Sequence, residues 1–119
     1  MVDEIVTLYR AVGLDEAADI LATGRFRVAP AQAMGDGKWF AETFNDALRW
    51  GGLMPLVARP RSFHIARVSL PQDVVGTFLR LARLDGIGPA RFVHRDQLPM
   101  VNRAGVISLT EADPKEEMR

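Results

Sequence analysis

Runs of β-branched and aromatic residues are the strongest pattern along this chain, and they predict strands. Such side chains fit the half-buried surface of a sheet better than the surface of a helix. The clearest run ends at Pro71, which cannot continue a ladder of hydrogen bonds. The predicted strands are 5–10, 25–28 (a short strand or edge segment), 38–41, 62–70, 90–93 and 106–109.

Apolar residues spaced three and four positions apart predict two helices between these strands. The first follows the opening strand, with Asp15 as its N-cap and Gly24 just past its end. The second begins at Thr43, because Thr43 and Asp46 match the capping-box pattern, and Gly51-Gly52 stops it.

Turn-rich stretches connect these elements. The predicted loops are 30–37, 53–61 and 85–89, all of which contain proline or glycine. Residues 72–84 fit either a helix or a turn followed by a strand, and the polar tail, about 111–119, is expected to fray. The chain has 119 residues and no internal repeat, so we expect a single α+β domain over 1–119.

The composition excludes several classes of function. The absence of cysteine excludes disulfides and thiolate metal sites. The two histidines, His64 and His94, belong to no HExxH motif, so we expect no metal. The acidic N-terminus lacks the regions of a signal peptide, and no apolar run reaches the roughly 20 residues of a membrane helix. We therefore expect a soluble domain that is exported only as part of something larger.

The net charge of zero conceals an uneven distribution of charge. Residues 25–103 hold twelve bases and six acids, whereas the acids outnumber the bases on either side. Thirteen of the fifteen bases are arginine, whose planar fork suits phosphates and carboxylates. The pattern indicates a basic face for a phosphate-bearing ligand or an acidic partner. The alternative is a diffuse scatter of arginines that reflects codon usage.

Three segments carry most of the candidate chemistry. Tyr9-Arg10-Ala11 ends the first strand, and Gly37-Lys38-Trp39-Phe40-Ala41-Glu42-Thr43 leads into a helix with Ala47 and Trp50. His94-Arg95-Asp96-Gln97 follows a later strand. Taken singly, each has a plain structural interpretation as a surface arginine, core aromatics or a solvated turn.

Together these segments resemble the mono-ADP-ribosyltransferase family. In that family the first strand ends in an aromatic–Arg or Tyr-His pair, and a strand of the form Gly-x-Tyr/Trp-Phe-Ala/Thr-x-Thr enters a helix with Ala and Trp. Residues 84–92 (LDGIGPARF) look like the C-terminal toxin domains of bacterial polymorphic toxins of the Rhs and contact-dependent types. The resemblance covers residues 7–100. It implies two small, mostly antiparallel sheets with a few short helices around an NAD cleft.

The resemblance also implies NAD as the substrate, without a metal, and assigns residues to it. Arg10 would bind the phosphate or ribose side, and Trp39 and Phe40 would stack on the nicotinamide. Thr43 and the backbone of Ala41 would bond the ribose and the carboxamide. The complete set expected to contact NAD is Tyr9, Arg10, Ala11, Gly37, Lys38, Trp39, Phe40, Ala41 and Thr43.

The family's usual catalytic glutamate, which lies in the third segment, has no counterpart here. Cleavage of the nicotinamide–ribose bond develops positive charge on the ribose, so a polar or anionic group must lie beside it. Besides Arg10, the catalytic candidates are therefore Asp96, Gln97 and Glu42, unless the activity is damaged. We expect the last three to approach one another at the cleft.

The function implied is an NAD-dependent ADP-ribosyltransferase of an antibacterial toxin. It would reach the cytoplasm of a target cell within a larger effector of the type VI kind, modify a translation factor or an RNA, and be blocked by a cognate immunity protein. Alternatives are an NAD glycohydrolase, a non-catalytic binding module and a relative of the RNA 2′-phosphotransferases. The arginines expected to contact a partner around the cleft are Arg10 and several of Arg25, Arg27, Arg49, Arg91 and Arg95.

Overall fold

A six-stranded antiparallel sheet forms the centre of the protein. The structure is a computed structural model that describes residues 4–27, 36–52 and 63–112. The strands are β1 (Ile5–Val12), β2 (Gly37–Ala41), β3 (Phe63–Pro71), β4 (Leu79–Leu84), β5 (Gly88–His94) and β6 (Val106–Ala112). They lie in the order β4-β5-β2-β1-β3-β6, which confirms the α+β class.

Helices cover both faces of this sheet. They are α1 (Leu14–Thr23), α2 (Phe44–Gly52), α3 (Gln72–Val75) and α4 (Leu98–Ala104). Side chains from α1, α3 and α4 join the larger buried cluster on one face, and α2 joins a smaller cluster on the other. Among the described helices, none has the length and hydropathy needed to cross a membrane.

Strand β1 supplies both clusters because its side chains alternate between the two faces. Leu8 and Val12 are fully buried in the larger cluster, whereas Tyr9 and Ala11 pack against the smaller one. The same alternation places Arg10 on the face of the larger cluster, beside α1.

The sheet has one weak seam, between β1 and β2. Strand β1 pairs with β3 from Ile5 to Val12, but it pairs with β2 only at Tyr9 and Ala41. The expectation of two separate sheets is therefore wrong in that form. One continuous sheet is present, and its two three-stranded halves meet at a single paired position.

Two predicted helix ends are confirmed and one is wrong. Gly24 ends α1 in the left-handed region, with φ 69°, and the Thr43 Oγ1 accepts a hydrogen bond from the Asp46 backbone at 3.1 Å. The N-cap of α1, however, is Gly13 rather than Asp15. The Gly13 carbonyl accepts from the Ala17 backbone at 2.9 Å, so the helix begins earlier than the position of the carboxylate suggests.

Residues 25–27 do not form the predicted strand. The Asn102 side chain replaces a neighbouring strand there, because its Oδ1 accepts from the Phe26 N–H at 2.8 Å and its Nδ2 donates to the Phe26 carbonyl at 3.0 Å. Residue 28 lies outside the described residues, as do 30–35 and 53–61 of the predicted loops and 113–119 of the predicted tail.

Several other boundaries differ from expectation. Residues 72–84 divide into α3 and β4, as the second alternative holds. Helix α2 ends at Gly52, so the two glycines expected to stop it are its last two residues. Helix α4 was not predicted, since its seven residues are too few to show a periodic pattern and Pro99 lies near its start. Strand β6 extends to Ala112, three residues beyond the predicted end.

Candidate functional site

A small cleft opens where β1 and β2 part. Its volume is about 160 Å³, close to that of a cavity that holds one benzene ring. Two tryptophans lie in its walls, and they are the only two in the chain. The residues that line it are Tyr9, Arg10, Ala11, Trp39, Phe40, Ala41, Trp50, Leu84 and Asp85. The cleft therefore has the size and the aromatic lining that suit a single flat ring.

The Trp39 wall is fixed by its neighbour on β5. Trp39 and Phe92 are register partners, and their ring centroids lie 5.0 Å apart at an angle of 52°. Tyr9 is held in a similar way on the opposite side, where it meets the Phe44 ring edge-on at 5.9 Å. Because both aromatic side chains are held by packing, the walls of the cleft are formed before any ligand arrives.

Arg10 fills the gap between the parted strands. Its Nη1 donates to the Trp39 carbonyl at 3.1 Å, which satisfies a β2 group that β1 does not reach. Its Nε and Nη2 donate to the two carboxylate oxygens of Glu16 on α1, at 2.8 and 3.0 Å. These three hydrogen bonds fix the guanidinium at the seam and leave two of its five N–H groups without a partner among the described residues.

Lys38 completes a charged cluster behind the seam. Its Nζ donates to Glu16 at 3.1 Å, and only 6% of the lysine is exposed. Burial raises the pKa of Glu16, but the hydrogen bonds and charges of Arg10 and Lys38 outweigh it and hold that pKa below its ordinary value. Burial and the charge of Arg10 lower the pKa of Lys38. Two cations thus share one carboxylate, which leaves one positive charge in excess on the α1 face of the seam.

Asp85 brings a carboxylate to the mouth of the cleft. It lies in the three-residue connection between β4 and β5, followed by Gly86, and both residues have positive φ, 56° and 72°. The Ile87 N–H closes this turn on the Leu84 carbonyl at 3.0 Å. The Trp50 Nε1 donates to the Asp85 Oδ2 at 3.1 Å, and the Oδ1 has no hydrogen-bond partner among the described residues. One carboxylate oxygen is thereby oriented and the other remains available.

Six of the nine residues expected to contact NAD line this cleft, and three do not. Gly37 lies tight against the backbone of β5, where an added Cβ would run into the Val93 carbonyl. Lys38 lies on the opposite side of the seam with Glu16, and the Thr43 hydroxyl caps α2. These three positions have structural roles that explain their residue types.

The expected role of Phe40 needs a correction. Only 1% of Phe40 is exposed, and its ring meets Phe26 edge-on at 5.1 Å within the larger buried cluster. Its side chain points to the face opposite Trp39, because successive residues of β2 alternate. Phe40 therefore stabilises the sheet beneath the cleft, and it cannot stack on a ligand without leaving the core.

The structure separates the three predicted acid or amide candidates from one another. Glu42 follows β2, where it binds Arg80 and Arg91 at 2.8 and 3.0 Å. Asp96 and Gln97 follow β5 beyond His94, which pairs with Gly37 at the other end of β2. The length of β2 therefore lies between them, on the order of 13 Å at the rise of a strand.

None of these three candidates lines the cleft. Asp96 is 85% exposed, and the Gln97 Oε1 accepts from the His94 backbone at 3.0 Å, so Gln97 closes the turn after β5. The hydrogen bonds from Arg80 lower the pKa of Glu42, and burial raises it by less. The pKa therefore lies below its ordinary value, as expected for a carboxylate paired with cations. The expectation that they meet at the cleft is wrong.

Asp85 and Glu16 are the charged residues of the site that the sequence did not single out. The Asp85-Gly86 dipeptide is a strong signal for a tight hairpin turn, and this signal could have placed Asp85 at the end of two sheet strands. Glu16 had no such signal, because an acid in the first turn of a helix is ordinary. Its pairing with Arg10 depends on how α1 packs on the sheet.

Comparisons with known proteins add nothing on function, so the assignment rests on the geometry of the cleft. No family model, no curated protein and no solved structure matches the chain. Within residues 4–27, 36–52 and 63–112, no group of three or more potential metal ligands comes together. The cleft at the seam, with its fixed arginine and its carboxylate, is the candidate active site.

Proposed function

We propose that this chain is an NAD-dependent mono-ADP-ribosyltransferase with an ADP-ribosyltransferase-like fold. One observation carries the proposal. The first-strand segment around Arg10 and the Trp39 segment, which lie far apart in the sequence, meet at one seam around a cleft the size of a single ring. The carboxylate of Asp85, from the turn between β4 and β5, lies at the same cleft. NAD cleavage needs these elements together: a ring pocket, a fixed cation and an anion beside the ribose.

The nicotinamide ring is the part of NAD that the cleft accommodates. A volume of about 160 Å³ suits one six-membered ring and is too small for the whole dinucleotide. Trp39 offers its indole face, and the small side chains of Ala11 and Ala41 leave room beside it. The rest of NAD would extend outward from the cleft over the sheet.

Arg10 is suited to hold the phosphate or ribose side of the same molecule. Its two remaining N–H groups and the excess positive charge it shares with Lys38 favour an anion. Its hydrogen bonds to Glu16 and Trp39 fix the guanidinium beforehand, so little conformational freedom is lost when NAD binds.

Asp85 is suited to stabilise the ribose as the bond breaks. The bond from the ribose C1′ to the nicotinamide nitrogen breaks heterolytically, its electron pair goes to the nicotinamide, and the ribose becomes an oxocarbenium-like cation. A nucleophile of the acceptor then adds to C1′ and loses its proton. The available Asp85 Oδ1 supplies negative charge for this step, while Trp50 holds the other oxygen.

The acceptor and the setting belong to the same proposal. The acceptor is a macromolecule of the target cell, a translation factor or an RNA, and the domain acts in the cytoplasm of that cell after delivery within a larger effector. A cognate immunity protein blocks it in the producing cell. Support for this part comes from the resemblance of residues 84–92 to polymorphic toxin domains and from the arginine-rich centre of the chain.

The test is release of nicotinamide from NAD by the wild type and by two matched variants. Asp85→Asn removes the charge at the cleft, and we expect it to lower the release rate at least about 100-fold. Asp96→Asn makes the same chemical change at an exposed position outside the cleft and should leave the rate within about twofold. Arg10→Ala is less informative, because it also frees Glu16 and the Trp39 carbonyl.

The products separate the proposal from its alternatives. Label from the ADP-ribose half of NAD on a protein or RNA of a bacterial lysate supports the transferase. Label only in free ADP-ribose shows an NAD glycohydrolase. No nicotinamide release by the wild type would contradict both enzymatic functions and leave the non-catalytic binding module. Loss of activity in Asp96→Asn but not in Asp85→Asn would overturn the assignment of Asp85.

A further inference from the structure

A second and larger concavity lies beside α4, and it shares no lining residue with the cleft. Its volume is about 660 Å³. Arg25 and Arg27 lie on one wall, after α1, and Arg95 and Arg103 lie on the other, in the β5–α4 turn and near the end of α4. We call this concavity the arginine groove. Nothing in the proposed chemistry of the cleft uses it.

The arginine groove carries an excess of positive charge. Among the residues that the structure describes, four arginines and one acidic residue, Asp96, line it. Asp19 from α1 pairs with Arg27, whereas Arg25, Arg95 and Arg103 form no ion pair within the described part of the chain. The groove therefore keeps a net charge of about +2 when Asp19 and Asp96 are both subtracted, in a protein whose total charge is zero.

The two walls of the groove are joined rather than merely adjacent. The Asn102 side chain makes both of its hydrogen bonds to the Phe26 backbone, which ties α4 to the segment between Arg25 and Arg27. The Arg95 N–H donates to the Asp36 carbonyl at 2.7 Å, which fixes the other rim. The arginines thus extend from anchored backbone across a groove of set width.

The lining favours a phosphate chain over an acidic protein. Protein interfaces have an apolar centre. Of the three apolar residues that line this groove, Phe26 and Leu98 are 1% and 4% exposed, and only the small ring of Pro99 is exposed. Nucleic-acid interfaces are more polar and more positively charged than protein interfaces. Phe26 is also too buried to stack on a base, so the contacts available are to phosphates and carry no sequence preference.

We propose that the arginine groove binds the phosphodiester backbone of a single nucleic-acid strand, through Arg25, Arg27, Arg95 and Arg103, without reading its bases. This site is independent of the NAD cleft. Binding is governed by counterion release, so the affinity falls with salt in proportion to the number of phosphates contacted.

The test is the fluorescence anisotropy of a labelled single-stranded RNA of mixed sequence, titrated with the protein over a series of salt concentrations. The variant R25Q/R95Q removes two groove charges. The control R80Q/R83Q removes two exposed charges elsewhere, both on β4. We expect R25Q/R95Q to weaken binding at least about tenfold and to reduce the salt slope by about 1.4, at 0.7 for each phosphate contact of a single strand. The control should change affinity by less than about twofold.

Four outcomes decide the proposal. Equal losses in both variants would show attraction by overall charge and would overturn the groove. No binding of RNA by the wild type would overturn it as well. A polyglutamate peptide that binds more tightly than RNA would show an acidic protein partner instead. DNA of the same sequence should bind within a few-fold of RNA, and binding of RNA alone would overturn recognition by the backbone.

Discussion

Arg10 and Arg95 illustrate two uses of the same side chain in one molecule. The Arg10 side chain is 23% exposed and makes three hydrogen bonds at the seam of the sheet, two of them to Glu16. Arg95 lies exposed at the rim of the arginine groove, where its backbone N–H is hydrogen-bonded but its guanidinium has no partner among the described residues. Hydrogen bonds hold the Arg10 side chain within the fold, whereas the Arg95 side chain is exposed at the surface.

This difference shows how charged side chains are stabilised at the cleft and at the arginine groove. At the seam, the Glu16 carboxylate pairs with Arg10 and Lys38. The cost of burying the Arg10 guanidinium is therefore already offset, and its position is fixed before a ligand binds. At the groove the cations are solvated and cost little to display, so they attract anions without fixing them closely. Changes at the cleft should therefore lower stability, and changes at the groove should alter only binding.

The largest effect is expected for Gly37→Ala, at the start of the strand that carries Trp39. An added Cβ would run into the Val93 carbonyl and would lie 2.8 Å from the Phe92 ring, so β2 and β5 would have to separate. We expect a loss of about 3 kcal/mol in the free energy of unfolding, measured with urea. Gly52→Ala is the matched control, since its Cβ meets nothing within 4 Å, and it should stay within about 1 kcal/mol of the wild type. Equal effects would show that β2 is not tightly packed.

Glu16→Gln should have the next largest effect, because it leaves two cations without their shared carboxylate. Lys38 is 6% exposed and cannot turn to water without moving the strand. We expect a loss of about 2 kcal/mol in the free energy of unfolding, and the second change Lys38→Met should restore part of it. Asp15→Asn, an exposed change one residue earlier, should cost no more than about 0.5 kcal/mol. No rescue by Lys38→Met would mean that the two residues are not coupled.

The free energy of unfolding should depend on pH through the paired carboxylates Glu16 and Glu42. The pKa values of Glu16 and Glu42 are lowered from 4.5 in the folded protein. Their contribution is therefore fully present above pH 4.5 and is lost as the pH falls through the lowered folded-state values, because the unfolded chain binds more protons there. Unfolding free energies measured across this range should fall less steeply in Glu16→Gln than in the wild type. Parallel curves would contradict the pairing.

The smallest effect on stability is expected at the groove. The double change R25Q/R95Q removes two exposed guanidinium groups that form no ion pair with any described residue. We expect the free energy of unfolding to stay within about 0.5 kcal/mol per substitution. A loss above about 2 kcal/mol would show that these arginines hold the Phe26 segment in place and would remove the contrast with Arg10.

Local signals in the sequence predicted much of the fold. Runs of β-branched and aromatic residues located β1 to β3, and Gly24 and Thr43 marked helix ends. The prediction failed where tertiary contacts replace local ones. An asparagine side chain satisfies the backbone at Phe26, so a strand-like segment has no strand to pair with.

The candidate site was predictable only in part, for a similar reason. Tyr9 and Trp39 line one cleft because β1 and β2 are neighbours in the sheet, whereas the resemblance implied a common cleft without this pairing of strands. Which acid reaches the cleft depends on where strands end in space. Asp96 and Asp85 both adjoin β5, but only the turn at its start lies at the cleft. No spacing in the sequence distinguishes the two ends.

Fluorescence of the two tryptophans tests the central claim most directly. Trp39 and Trp50 both line the cleft and are the only tryptophans of the chain, so their emission reports its occupancy without an added label. We predict that NAD and nicotinamide alone each change this emission in a saturable way, and that Trp39→Phe removes most of the change. AMP, which carries no nicotinamide, should not produce it at the same concentrations. An emission that NAD and nicotinamide leave unaltered would contradict a nicotinamide site at the seam between β1 and β2.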